Sequence, residues 1–253
     1  MTHTICFEQP LNEIMRFCLR LEHAYHLLEC QFTEQYNSRE AIIALCEICH
    51  MLERPDLRVK LTKELNRQYE NLSKLVQTPG IDTNRLHSTL EMFKYQLDVL
   101  HRDNGRFANE LRNNEFLHQI KQYQKNPGGL CQFDVPAFQL WCSYPVNQQQ
   151  MMLQQWLSEI KDIISVTQFL LEVTRQSCST KKVTAEDSHY QDSLDSNAAL
   201  QLVQVYLSAD YQAYPEVSVG RHGISIHFKR PDFQSRAVQN RDNIEFELRT
   251  CKT

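Results

Sequence analysis

Up to about residue 173 the apolar positions recur every three or four residues, and in several stretches beyond it they recur every second residue. The first spacing lays an apolar stripe along one side of an α-helix; the second buries one face of a β-strand. Pro10, Pro55, Pro79-Gly80, Gly105, Pro127-Gly128-Gly129 and Pro145 cut the first 145 residues into pieces that read as helices.

The first piece, 11–34, has a seven-residue repeat: Leu11, Cys18, Tyr25 and Phe32 in one position, Ile14, Leu21 and Leu28 in the other. This predicts a coiled-coil-like seam about three heptads long. A second helix opens at the cap pair Asn37 and Glu40 and buries Ile42, Leu45, Cys46, Cys49 and Leu52. Further helices are expected over 56–76, 82–102 and 106–125, and a long one from Asn147 to about 176. At 1.5 Å per residue, about 30 residues would extend about 45 Å.

Strands are expected at the other spacing. "GISIHFKR" sets Ile224, Ile226 and Phe228 against Ser225, His227 and Lys229; "NIEFELRT" sets Ile244, Phe246 and Leu248 against Glu245, Glu247 and Arg249. One buried and one solvated face is the mark of antiparallel sheet. Pairing these two strands would place His227 and Lys229 near Glu245 and Glu247. "LQLVQVYL" (200–207) and "HTICF" (3–7) add strands, and "CQFDV" (131–135) with "FQLW" (138–141) reads as a strand or an edge pair around Pro136. Residues 178–198 are polar and aperiodic and read as a loop. The class is therefore α+β: an α-helical domain, 9–126 with 146–178, packed beside an antiparallel β-sheet domain of 1–8, 127–145 and 179–253.

Composition narrows the function. Apolar residues make up 42% and charged residues 23% of 253, and the formal net charge is −4. That charge argues against a surface wholly given to nucleic acid. No apolar run approaches the roughly 20 residues of a membrane span, and the start lacks the cationic-then-apolar pattern of a secretory signal. A cytoplasmic protein with reduced thiols is expected.

"CEICH" (46–50) has the spacing of a c-type haem attachment site. Against that, Cys46 and Cys49 fall on the buried stripe of their helix, where free cysteine acts as a small hydrophobe. Covalent haem attachment in bacteria also takes place outside the cytoplasm. No phosphate-binding glycine loop and no nucleophile elbow occurs. "EHAYH" brings His23 and His26 near Glu22 and Glu29, but a metal needs three or four supported ligands, so a solvated helix face is the simpler reading. The nine cysteines lack the paired spacing of a zinc site. No enzyme, cofactor or metal is expected.

Arginines remain. Arg16, Arg20 and His23 share one face of the first helix; Arg112 precedes the Pro-Gly-Gly break; Arg221, Lys229 and Arg230 cluster toward the end. Beside an aromatic such as Trp141 they could receive a carboxylate-bearing peptide. The plainer alternative is a set of ordinary surface salt bridges.

Several stretches together resemble the ZapD family of bacterial cell-division proteins: "FEQPLNEIMRFCLRLE", "LTKELNRQ", "TPGID", "NPGGLCQFDVPAFQLW", "TRQS", "HYQD", "AYPEVSVGRHGISIHF" and "IEFELRTC", in family order and over nearly the whole chain. The resemblance implies a helical domain plus a β-domain, a symmetric homodimer without cofactor, and a cytoplasmic protein at the midcell division ring. It implies binding to the C-terminal tail of FtsZ, the division GTPase, and cross-linking of FtsZ protofilaments into bundles. The family's tail-binding positions fall on Arg20 and Arg112. A third, histidine in some members, falls on Gln139, which keeps hydrogen-bonding capacity but cannot take a positive charge. Arg16, Trp141 and Arg221 complete the candidate site. The competing readings are a helical adaptor for another acidic peptide and a haem or redox protein.

Overall fold

The computed structural model describes residues 3–32, 36–102, 106–193, 200–220, 223–232, 238–239 and 242–252. The chain is α+β and forms two compact units, Met1–Arg16 with Leu171–Thr253, and Phe17–Leu170. Residues 127–145 thus fall within the helix-rich unit.

The helical elements are α1 (Glu13–Cys30), α2 (Ser38–Met51), α3 (Leu57–Ser73) with a short 3₁₀ turn behind it, α4 (Thr83–Arg102), α5 (Asn109–Asn113), α6 (Glu115–Tyr123), α7 (Pro136–Cys142), α8 (Val146–Ser158) and α9 (Lys161–Gln176). On α1, Cys18, Leu21 and Leu28 of the expected seam are buried, and Met15, Phe17 and Ala24 join them, so the stripe is broader than a two-position seam. Asn37 caps α2 as expected, its side chain accepting from the amides of Arg39 at 3.0 Å and Glu40 at 3.3 Å. Cys46 and Cys49 are wholly buried. Cys46 Sγ lies 3.9 Å from the Leu117 carbonyl, while His50 is exposed and meets Glu53 at 3.2 Å. The "CEICH" thiols pack the α2–α6 contact, and burial pushes both up, that of Cys49 to about 11.

Two helix expectations and one strand expectation need correction. The piece 106–125 is two helices, because Asn114 takes an extended conformation that ends α5, then caps α6 by accepting from Leu117 N at 3.1 Å. The long helix from Asn147 breaks at Glu159–Ile160, where the amides turn to carbonyls three residues back, Trp156 and Leu157. Of the strand or edge pair expected at 131–135 and 138–141, the first segment is a turn, closed by the Asp134 and Val135 amides on the Cys131 carbonyl, and the second lies in helix α7 with Pro136 in its first turn, where its missing N–H costs nothing.

The strands are β1 (Thr4–Pro10), β2 (Cys178–Ala185), β3 (His189–Ser193), β4 (Leu200–Ser208), β5 (Tyr214–Val219), β6 (Gly223–Arg230), β7 (Val238–Gln239) and β8 (Ile244–Lys252). They form two antiparallel sheets, one ordered β1-β4-β8-β2 and one ordered β3-β6-β5 with β7 on β6. Most of 178–198, expected as loop, is strand and turn, with β2 in the first sheet, β3 in the second and a turn between them. That turn is made by Asp187 and Ser188, both at positive φ, as a tight connection between right-twisted strands requires. The inward residues of both sheets share one apolar core: Val203, Val205, Phe246 and Leu248 from the first, Ile224, Ile226 and Phe228 from the second. Phe228 meets Phe246 edge-on at 4.9 Å across it.

The alternating strands β6 and β8 therefore do not pair. His227 stands opposite His189 and Glu216, and Lys229 binds Glu216 at 2.7 Å instead of a carboxylate of β8. The expectation of reduced thiols throughout also changes. Cys178 and Cys251 are register partners on β2 and β8 and are joined by a disulfide.

Candidate functional site

Three of the six sequence-nominated residues, Arg112, Gln139 and Trp141, lie on α5 and α7, with α6 between them. Gly128 and Gly129 set the approach to α7. Gly128 has φ +69°, and a Cβ on Gly129 would lie 1.9 Å from the Tyr123 carbonyl oxygen, so only glycine fits there. Arg39 anchors this turn to α2, its guanidinium donating to the Gly129 carbonyl at 2.7 Å.

The turn from α7 into α8 is held by Gln149, which is 2% exposed. Its amide nitrogen donates to the carbonyls of Cys142 at 3.2 Å and Tyr144 at 2.7 Å, and its oxygen accepts from the hydroxyls of Tyr36 and Ser38. A buried amide bonded on both sides fixes backbone position more sharply than an apolar residue of equal size.

On this frame sits an aromatic cluster. Trp141 of α7 is 3% exposed and packs on Phe138 and Phe116, each at 6.1 Å between ring centres; Phe116 also stacks on Trp156 at 6.1 Å. Trp141 is thus an internal wedge, not an open stacking platform. Its indole N–H is buried without a hydrogen-bond partner among the described residues. Gln139 and Leu140, on the opposite side of α7, are exposed. Phe133, between the glycine turn and α7, is 82% exposed. Sequence reasoning did not single out Phe133 or Leu140. The signal available was an apolar pair without a periodic partner beside the Gly-Gly turn.

Arg112 lies in the last turn of α5, four residues before Phe116, and is half-buried. Arg112 and Phe116 stand on either side of the helix break at Asn114. Arg16 and Arg20 stand exposed one turn apart on α1. No hydrogen bond or ring contact among the described residues ties either to the aromatic cluster. Arg221 lies outside the described residues.

The expectation of ordinary surface salt bridges is not met for these arginines. Among the described residues the guanidinium groups of Arg16, Arg20 and Arg112 have no carboxylate partner. Arg67, Arg175, Arg230 and Arg249 each have one at 2.6–2.7 Å. Unpaired guanidinium groups offer two-pronged donors to an incoming carboxylate without first breaking an internal pair. Within the described residues there is no group of three or more histidine, cysteine or acidic residues placed to hold a metal, and no helix long and apolar enough to cross a membrane.

A family model described as ZapD, cell division protein, matches residues 19–227. The chain is 34% identical over 253 residues to the cell division protein ZapD of Coxiella burnetii strain RSA 493, covering 98% of both chains. It is 31% identical over 247 residues to that of Shewanella oneidensis, again covering 98% of both. To that of Escherichia coli O7:K1 it is 28% identical over 253 residues, covering 99% of this chain and 100% of the relative.

Proposed function

Since the chain belongs to the ZapD family of cell division proteins, we propose that it binds the C-terminal tail of FtsZ and cross-links FtsZ protofilaments into bundles, stabilising the ring at midcell. The observation that carries this reading is the set of guanidinium groups that have no acid partner among the described residues, Arg16, Arg20 and Arg112, the last of them two residues before the break into α6, whose Phe116 packs on Trp141. A short acidic tail bearing apolar residues meets charge-assisted forks at the arginines and an apolar contact at Phe133 and Leu140. Gln139, exposed on α7, adds a neutral hydrogen-bonding side chain.

Cross-linking needs two tail sites per particle, and a homodimer supplies them. One tail in one site binds weakly, because ordering a flexible peptide is costly. A filament presents many tails at high local concentration, so two weak sites bridge filaments firmly. The work is done by binding alone, without catalysis or cofactor, in the cytoplasm at the division ring.

Co-sedimentation tests the proposal. The protein should pellet with FtsZ filaments and thicken them into bundles, and should do neither with FtsZ lacking its C-terminal tail. Equal pelleting with both forms would place the contact on the FtsZ body and leave the arginines without this role. A stable monomer in light scattering, even beside filaments, would remove the bridging mechanism.

A further inference from the structure

The outward face of the smaller sheet carries a histidine pair that tail binding does not use. His189 on β3 is the register partner of His227 on β6. The Phe228 amide donates to the Ser188 carbonyl at 2.9 Å, so 188 and 228 are a hydrogen-bonded pair and 189 and 227 a non-hydrogen-bonded one. Side chains come closest at pairs of the second kind. The two imidazoles stack with centres 4.4 Å apart and planes 26° from parallel. Both turn Nε2 to the same hydroxyl, Ser225 Oγ, at 3.3 Å and 3.4 Å. Two imidazole nitrogens therefore converge on one point of the surface, with His227 exposed and His189 half-buried.

We propose that this pair binds one late first-row divalent cation, of the class of nickel, copper and zinc. Neutral imidazole suits these ions, and a nitrogen presents its lone pair once the proton sits on the other ring nitrogen. The strand ladder holds the two ligands in place before the ion arrives, so small ring rotations close the chelate. No third histidine, cysteine or acidic ligand joins them among the described residues, which leaves the other coordination positions to water and the ion exchangeable. Glu216, across from His227 on β5, is already paired with Lys229 at 2.7 Å, so water and solution counter-ions meet the charge of the ion. The ion ties β3, at the edge of its sheet, to β6, and so stabilises the fold in proportion to its occupancy.

The competing donor set is on α1, where Cys30 Sγ lies 3.7 Å from His26 Nε2. The test is calorimetric titration of the chelator-stripped full chain with nickel chloride, with thermal melts with and without the ion. The wild type, His26→Asn and Ser225→Ala should each bind one equivalent and melt higher with nickel. His189→Asn and His227→Asn should bind about tenfold more weakly or not at all, and nickel should leave their melting points unmoved. Should His189→Asn fail to fold, the exposed His227→Asn decides alone. No heat of binding in the wild type, unchanged affinity in His227→Asn, or loss of the site in His26→Asn would each overturn the proposal.

Discussion

Arg175 grips Glu8 through two parallel hydrogen bonds, Nε to Oε1 at 2.9 Å and Nη2 to Oε2 at 2.6 Å. Gln204 adds a third to the same carboxylate at 2.8 Å. The last turn of α9, β1 and β4 are fastened at one point, largely shielded from water. Removing one partner leaves the other charge half-buried and under-bonded. Arg175→Met should therefore lower stability by about 1–3 kcal/mol, read as a fall in the urea midpoint with the slope unchanged. Adding Glu8→Gln should recover part of that loss, because a neutral amide tolerates the missing guanidinium.

Arg20→Ala and Arg112→Ala should each weaken FtsZ binding about tenfold or more, from lost charge-assisted hydrogen bonds worth about 1.5–3 kcal/mol each. Both should melt like the wild type, since neither guanidinium has an internal acid partner among the described residues. Arg20→Glu should do worse, adding repulsion. Wild-type binding should weaken with salt, and the arginine variants should show a shallower dependence. Normal bundling by both alanine variants would sink the assignment.

Cys46 and Cys49 should behave as core residues. Burial pushes both thiols above their ordinary range, Cys49 to about 11. A thiol reagent at pH 8 should therefore label exposed Cys30 in the native protein, and Cys46 and Cys49 only after denaturation. Alanine at either position should cost about 1 kcal/mol of stability and leave FtsZ binding unchanged. Rapid labelling of native Cys46, followed by lost bundling, would return the "CEICH" motif to a functional role.

Glu53 of the α2–α3 turn binds Lys121 at 2.5 Å and His50 at 3.2 Å. Burial pushes its carboxyl up, but the hydrogen bonds and charges of Lys121 and His50 outweigh this and hold it below the usual carboxylate range. A carboxylate so depressed stabilises the fold above its unfolded value, about 4.3, and loses that contribution as pH falls through the lower folded value. Glu53→Gln should lower stability at pH 6 and flatten its decline under acid conditions. Glu91, lowered by Lys94 but fully exposed, serves as the control: Glu91→Gln should leave the profile close to that of the wild type.

The local pattern determined which residues face inward. Ile224, Ile226 and Phe228, and Ile244, Phe246 and Leu248, are buried as their alternation demands, and the cysteines of "CEICH" lie under the α2 stripe. The sequence also carried the family, through motifs spread along the chain, and with it the proposal of Arg20, Arg112 and Gln139 as tail contacts. Partner choice was decided only by tertiary structure. A period of two says which face of β6 is buried, not which strand lies beside it, and β6 and β8 meet through Phe228 and Phe246 across a core, not along a ladder. Breaks without proline or glycine, at Asn114 and at Glu159, were hidden for the same reason, since packing elsewhere sets where a continuous stripe must turn. The pairing of Cys178 with Cys251 and of His189 with His227, and the lack of an acid partner for Arg16, Arg20 and Arg112 among the described residues, depend on what distant segments bring together. Hydrophobic period is a property of neighbours in the chain, whereas register and charge pairing are fixed only when the whole chain has closed on itself.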